Sequence, residues 1–394
     1  MQSRNQAVRR RPGWGATPEF IISFWVEPPA EETTLRRYRE IAECGFNVVP
    51  INHDKKRNLK ALDLCRAAGL KGWVGDLRSF IQPDVPVFAE TLNQLIADFS
   101  RHPALAGYYV RDEPHASLFP VLGALNRYLL DHDPRRLPYI NLFPNHAGSA
   151  LLGTKTYEEH IAEFIRIVRP ALVCWDHYPL LKTGEDGCYF DNLEIVRRQC
   201  LKADIPFMQI ILCTPVGDHR NPDETDLWWQ IYTTLCYGAR GISYFTYWTP
   251  PQWTDGIIAA DGARTPHYEM VKRLNARVQA LAPTLIRLRS CGIYHTDPVP
   301  SGARPLEGQS PVKRIIGGQM AVGWLKDHHQ LDYLFIVNRS FRETISADVE
   351  IRKGLKAVEE ISQDHGCPVS AEYRRGMLTC VLKAGEGKLF RLRS

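Results

Sequence analysis

Between residue 19 and about residue 285 the chain alternates two kinds of stretch. Short runs, nearly continuous in apolar residues, fall at 19–26, 46–51, 71–75, 105–110, 139–143, 172–175, 206–213 and 242–248. Between them lie segments whose apolar positions recur every three to four residues, as Leu35, Tyr38, Ile41 and Ala42 do within 31–44. The first pattern predicts buried strands and the second amphipathic helices. Further helices are expected at 56–68, 87–99, 119–130, 157–168, 193–203, 226–237 and 268–281. Gly45, Gly69 and Gly238 stand where a glycine closes a helix. Eight strand–helix units with such strands predict an α/β protein, a closed (β/α)8 TIM barrel. A dinucleotide-binding sheet would want a glycine-rich turn after the first strand, and this chain has Glu27-Pro28-Pro29 there.

After about residue 288 the helical period stops. Alternating segments at 320–325, 332–337, 345–351, 377–382 and 388–392, separated by turn clusters, predict a small C-terminal antiparallel β-sandwich. Residues 297–311, rich in Pro, Gly and Ser, read as a loop. The expected organisation is a flexible tail over 1–18, a barrel over 19–288 and a β-sandwich over 289–394. The length of 394 residues suits it, since a barrel takes about 250 residues or more.

Composition narrows the class only a little. The net charge of +5 is modest, and Arg4, Arg9, Arg10 and Arg11 supply much of it. No basic stripe with interleaved aromatics follows, so no nucleic-acid partner is expected. Pro12 and Gly13 interrupt any secretory apolar region, and no run is long enough to span a bilayer. Ten cysteines without a C-x-x-C pair read as small core residues in a reducing, cytoplasmic protein. No cofactor and no metal site are expected.

Candidate chemistry gathers at the strand ends. Gly107-Tyr108-Tyr109-Val110-Arg111-Asp112-Glu113-Pro114 is a strand that ends in two acids and a proline. The carboxyl ends of barrel strands form the active face. A helix-capping role accounts for Asp112 but not for Glu113, whose neighbour Pro114 has no N–H to offer. Alternation along the strand expects only one of the two acids to face inward. Other strand ends supply Trp25 and Glu27, His53 and Asp54, Asp76 and Arg78, Asn141, Asn145 and His146, Asp176, His177 and Tyr178, Thr214, Asp218 and His219, and Tyr247, Trp248 and Trp253. Aromatic faces stack on sugar rings, and acids and amides bond hydroxyls. Glycosidic cleavage then needs a protonated carboxyl at the leaving oxygen and a second carboxylate across the ring.

Asp-Glu-Pro after strand 4, Asp176-His177-Tyr178-Pro179 after strand 6, and Tyr-Gly-Ala-Arg-Gly-Ile-Ser-Tyr-Phe-Thr-Tyr-Trp-Thr-Pro at 237–250 together resemble the clan A glycoside hydrolases, in particular the family 42 β-galactosidase-like branch. The resemblance covers roughly residues 19–290, and a small β-sandwich also suits that group. It implies Glu113 as acid/base and a nucleophilic Glu at the end of strand 7. Strand 7 carries no acid; Gln209 stands near the expected place, and an amide cannot form a glycosyl ester. Asp176, or else Asp218, is then expected as the second carboxylate, acting through water across about 6.5–9.5 Å in an inverting enzyme. A nucleophilic Tyr178 is a further option. The expected function is glycoside hydrolysis by Glu113 and Asp176, with Trp25, Glu27, Asp76, Asp112, Asn141, His177, Tyr178, Gln209, Tyr247 and Trp248 binding an oligosaccharide or glycoside. The alternatives are a non-hydrolytic carbohydrate-binding protein on the same barrel and a metal-dependent isomerase or lyase. Homo-oligomerisation is left open.

Overall fold

A computed structural model describes residues 13–17, 19–306, 310–352 and 354–393. Eight parallel strands make the barrel: β1 (Ile21–Phe24), β2 (Val48–Ile51), β3 (Lys71–Gly75), β4 (Leu105–Asp112), β5 (Leu137–Leu142), β6 (Val173–Asp176), β7 (Phe207–Leu212) and β8 (Gly241–Phe245). From β2 to β8 each strand pairs with the next in sequence, and β8 pairs with β1. The last seam, between β1 and β2, is closed by Asn47. Its backbone N–H reaches Ile22 O at 3.0 Å, its Oδ1 accepts from Ile22 N at 2.8 Å, and its Nδ2 donates to Phe20 O at 2.8 Å. One side chain thus completes the ladder where two short strands diverge.

Alternation sorts the strand residues. Ile21, Val48, Trp73, Ala106, Leu137, Tyr139, Cys174, Met208 and Ile210 fill the interior. Their neighbours pack outward under eight helices: α1 (Leu35–Glu43), α2 (Lys55–Ala68), α3 (Phe88–Phe99), α4 (Phe119–His132), α5 (Tyr157–Val168), α6 (Tyr189–Ala203), α7 (Glu224–Cys236) and α8 (Pro266–Leu285). Local signals set their ends. Asp54, a strand-end acid in sequence, caps α2 by accepting from Arg57 N, while Thr156 and Asp223 form capping boxes on α5 and α7. Gly69 closes α2 at a φ of +75°, a left-handed turn that glycine adopts without steric cost. α8 runs past the expected stop and carries Pro283 inside it.

The β-sandwich follows. One sheet holds β9 (Arg289–His295), β11 (Met320–Lys326), β12 (Asp332–Asn338), β18 (Gly387–Arg393), β14 (Ala357–Ile361) and β15 (Pro368–Ser370), in that order. The other holds β10 (Val312–Ile316), β13 (Ile345–Ile351), β17 (Met377–Leu382) and β16 (Glu372–Arg374). The larger sheet is buried on both faces. Met320, Val322, Leu334 and Ile336 join the sandwich core, while Ala321, Leu325, Phe335 and Val337 join the barrel's cluster. There they meet α7, whose residues from Asp226 to Cys236 are all buried. Gly323 is required at this contact, because a Cβ would lie 2.4 Å from Cys236 O.

The tail expected over 1–18 is packed from Gly13 onward. Gly13 N donates to Pro134 O, Trp14 Nε1 to Ala171 O, and Thr17 Oγ1 to Ala106 O, so this segment plugs the floor of the barrel; the rest of that expectation lies outside the described residues. Among the described residues no helix is long and apolar enough to cross a membrane.

Candidate active site

At the carboxyl end of β4 the chain breaks its alternation. A bulge falls between Tyr109 and Arg111, and Glu113 takes a φ of +40°, sparsely populated for a residue with a Cβ. Its N–H is held by Asn141 O at 2.9 Å. The result differs from the expectation of one inward acid: Asp112 and Glu113 both reach the bowl.

Asn141, on β5, organises them. Its Nδ2 donates to Asp112 Oδ1 at 2.9 Å and to Asp176 Oδ1 at 2.9 Å, while its buried Oδ1 has no protein partner. Asp176, at the end of β6, is itself hydrogen-bonded to Glu113. Burial pushes the Asp176 carboxyl well above the usual range, and the Glu113 charge pushes it further. Glu113 is also raised, by burial first and then by the Asp112 charge, with the Asp176 hydrogen bond pulling partway back. Both carboxyls are thus raised, Asp176 being the more buried of the two. Contact corrects the expected separation: neither a sugar ring nor a water fits between Asp176 and Glu113.

Beside the dyad an aromatic cavity descends into the barrel, lined by Trp25, Glu27, Asn52, Trp73, Tyr109 and Tyr139 among others. Trp73 and Tyr139 stack at 4.2 Å and Trp25 meets Tyr109 edge-on at 5.8 Å. Tyr109 links cavity and dyad: its phenol is pushed up by burial and then by the charges of Asp112, Glu113 and Glu27. The Glu27 carboxylate is gripped by Asn52, whose N donates to Oε1 at 2.9 Å and Nδ2 to Oε2 at 3.0 Å. Trp73, Tyr109, Tyr139 and Asn52 were absent from the expected set. The interior parity of β3, β4 and β5 was the signal for the three aromatics.

The other expected residues divide. Tyr178 lies near the acids and tilts against Phe245 at 5.2 Å; burial, then the charges of Asp176, Asp112 and Glu113, push its phenol well up. Asp76 is engaged by Arg78, at 2.7 and 2.9 Å, and caps the following turn. His177 is fully buried between Asn192 and Asp186 and faces away from the dyad. Gln209 does not reach the bowl. Its Oε1 accepts from Thr234 Oγ1 on α7 at 2.6 Å and from Tyr189 OH on α6 at 3.4 Å, which places it on the outer face of β7. Met208 and Ile210 hold the inner face, so parity gives the inward position at the strand end to Leu212. Tyr247 also turns outward, stacked on Phe24 at 4.5 Å and buried near α1. Trp248 packs under the Arg37 guanidinium, 5.1 Å from the ring centroid. Neither can stack on a substrate in the bowl. A group of metal-binding side chains, His146, His177, Asp186 and Cys188, stands next to the bowl, where no metal site was expected.

No family model and no curated protein matches this sequence. Solved structures do resemble it. A catalytic mutant of a glycoside hydrolase family 42 β-galactosidase from G. stearothermophilus aligns over 98% of this chain and 100% of its own, at a TM-score of 0.60 and 9% identity. An Anoxybacillus α-amylase aligns over 95% and 98%, at 0.54 and 11%. A β-galactosidase from the psychrophilic Marinomonas ef1 aligns over 68% of this chain at 0.51 and 11%, and the chain spans only 61% of that protein. In fold, a TIM barrel followed by a β-sandwich, the chain is therefore similar to glycoside hydrolases, a family 42 β-galactosidase among them.

Proposed function

We propose that the protein is a glycoside hydrolase that protonates the leaving group through Glu113. The observation that carries this reading is the Glu113–Asp176 contact: burial and neighbouring charge raise both carboxyls above their usual range, which favours a proton held by the pair, beside Tyr109 of the aromatic cavity. In this reading the proton passes from Asp176 to Glu113, and Glu113 delivers it to the glycosidic oxygen as the C–O bond breaks and its electron pair leaves with the oxygen. Asp176 acts behind Glu113 rather than across the ring from it.

The second carboxylate in this reading is Glu27. It stands three strands round the barrel, in the same cavity as Trp25 and Tyr109, with both oxygens oriented by Asn52. A water attacking the anomeric carbon would lose its proton to Glu27, and the dyad would be reprotonated from solvent. Asp218 supports this role less well, being exposed in the loop after β7. The raised Tyr178 phenol argues against a phenolate nucleophile. The boundaries 19–288 and 289–394 suit a catalytic barrel and an accessory sandwich.

One observation favours a second reading, sugar binding without cleavage: Leu212 occupies the inward end of β7, where the resemblance implies the nucleophile. A panel of aryl glycosides and oligosaccharides, assayed for new reducing ends, separates the two. Wild-type turnover that falls by about 10²–10⁴-fold in Glu113→Gln on poor leaving groups, and far less on dinitrophenyl leaving groups, supports the acid role. Undiminished turnover in the variant sinks it, and binding without product by the wild type selects the second reading.

A further inference from the structure

Next to the bowl, but outside it, His146, His177, Asp186 and Cys188 each turn one metal-binding atom toward a common point. All four atoms lie within 4.8 Å of one another. His146 comes from the loop after β5, and the other three from the loop between β6 and α6.

Hydrogen bonds decide which atoms remain free. Asn192 Oδ1 accepts the backbone N–H of Asn145 at 3.0 Å, and Asn192 Nδ2 donates to Tyr157 OH at 3.0 Å. Oxygen, not nitrogen, therefore faces His177 Nδ1 at 2.7 Å, and Nδ1 must carry the proton of that bond. This leaves His177 Nε2 to face Asp186 Oδ2 at 3.0 Å. His146 Nδ1 faces the same oxygen at 3.2 Å. Asp186 Oδ1 is already occupied by the backbone N–H of Cys188 at 2.9 Å, which orients Oδ2 toward the histidines. Cys188 Sγ, within the same 4.8 Å group, donates its thiol proton to Asn145 Oδ1 at 3.1 Å, a bond that metal binding would replace.

We infer that these four side chains bind a zinc-class divalent ion through His146 Nδ1, His177 Nε2, Asp186 Oδ2 and Cys188 Sγ. Two imidazoles, a carboxylate and a thiolate are a donor set that tetrahedral zinc accepts. Bonds of about 2.0–2.3 Å put tetrahedral ligand atoms roughly 3.3–3.8 Å apart, so from a spread of at most 4.8 Å closure needs a movement of about 1 Å. His177 donating its outer N–H to Asn192 is the arrangement that fixes a metal-binding tautomer. Four protein ligands leave no open position, so the ion is structural. It pins the loop that begins at His177, one residue beyond Asp176, against both α6 and the loop after β5. Soft and borderline ions fit this set, and magnesium and calcium, which want oxygen ligands alone, do not.

The competing arrangement is a metal-free ion cluster, with a histidinium held by Asp186. Full-length protein without a histidine tag, stripped with chelator, separates the two. Zinc is titrated against a chromophoric competitor, and cobalt is added in parallel as a spectroscopic probe. The expected result is one tight equivalent per chain, a thiolate-to-cobalt charge-transfer band and tetrahedral d–d bands. Cys188→Ser should lose the charge-transfer band and weaken zinc by at least about tenfold, since even loss of an outer partner costs that much. His146→Ala, at a half-exposed side chain, should weaken zinc similarly without unfolding the chain, and a given zinc concentration should raise the wild-type Tm more than either variant's. No stoichiometric zinc, or equal binding by both variants, overturns the site. None of these readouts uses turnover, so the site and the glycosidase reading fail independently.

Discussion

Replacing Asp176 by Asn tests the shared proton without any knowledge of the substrate. The amide keeps both contacts: Oδ1 can accept from Asn141 Nδ2, as the wild-type oxygen does at 2.9 Å, and Nδ2 can donate to the Glu113 carboxylate. What changes is the proton. In the wild type, burial and the neighbouring Glu113 charge raise Asp176 well above its unfolded value, which is near 3.9. A carboxyl raised in the folded state contributes stability that is fully present below the unfolded pKa and is lost as pH rises through the folded one. Over that window the native state binds one more proton than the unfolded state, and stability falls by about 1.4 kcal/mol per pH unit. The substituted amide takes up no proton, so this slope is missing from the variant.

The difference in unfolding free energy, variant minus wild type, should therefore grow with pH above the unfolded pKa, by up to about 1.4 kcal/mol per unit. Urea unfolding of both proteins at pH 5, 6, 7 and 8 measures it, and titrating groups away from Glu113 and Asp112 cancel in the difference. A gap that stays flat, or that closes as pH rises, would mean that Asp176 is ionised in the fold, and the proton-donating dyad would go with it. Turnover should fall in the variant, because the substituted amide has no proton to pass to Glu113, although burial and the Asp112 charge still raise the Glu113 carboxyl.

Three further outcomes follow from where side chains point. Gln209→Glu should not create a covalent glycosyl-enzyme, detectable by mass spectrometry with a fluorinated glycoside, and should destabilise the chain by about 3 kcal/mol, because the new carboxylate is buried against Thr234 and Tyr189. Trp25→Ala should weaken ligand binding in calorimetry by about 0.5–1.5 kcal/mol beyond its lost area, whereas Trp248→Ala, under Arg37, should change unfolding but not affinity. Glu27→Gln should abolish hydrolysis while leaving ligand binding and the dyad's stability slope intact; full activity in this variant would remove Glu27 from the mechanism.

The barrel was legible because its period is strong: each apolar run of strand length is followed by a helical stretch, and Gly45, Gly69 and the acids at caps punctuate them. Strands β9 and β14 were not. Their sequences, Arg289–His295 and Ala357–Ile361, mix charges with apolar residues, and only part of each strand is buried. In the site, Glu113, Asp176, Asn141, Trp25 and Glu27 were found by counting to strand ends. Gln209 was misplaced by one residue of parity, which sends a side chain to the opposite face; Met208 and Ile210 on the inner side were available to correct it. Tyr247 and Trp248 lie beyond the end of β8, where no period applies. The dyad itself was out of reach, since it depends on the positive φ at Glu113. The His–Asp–Cys cluster was also out of reach, because its ligands come from two loops without a recognisable spacing.

The distribution of polarity round the mouth gives these placements a common physical sense. Glu27 on the β1 side, Asp112 and Glu113 after β4, and Asp176 on β6 supply its acids, joined through Asn141 and Asn52. The ends of β7 and β8 offer Leu212 and Phe245 instead. In a closed barrel every strand end faces the same space, so chemistry is not tied to one strand. A carboxylate missing from β7 can be replaced only by one that faces Glu113 with room for a ring between them. Asp176 is excluded by contact, and Asp112 by its place beside Glu113 on the same strand. Glu27 stands on the far side of Tyr109, whose phenol feels both charges. In the proposed reading the substrate ring lies over Tyr109 and against Trp25, between Glu113, which is buried with a second carboxyl, and Glu27, which is oriented by amide donors. The difference between those two environments, not the strand from which either residue comes, is what assigns acid and base.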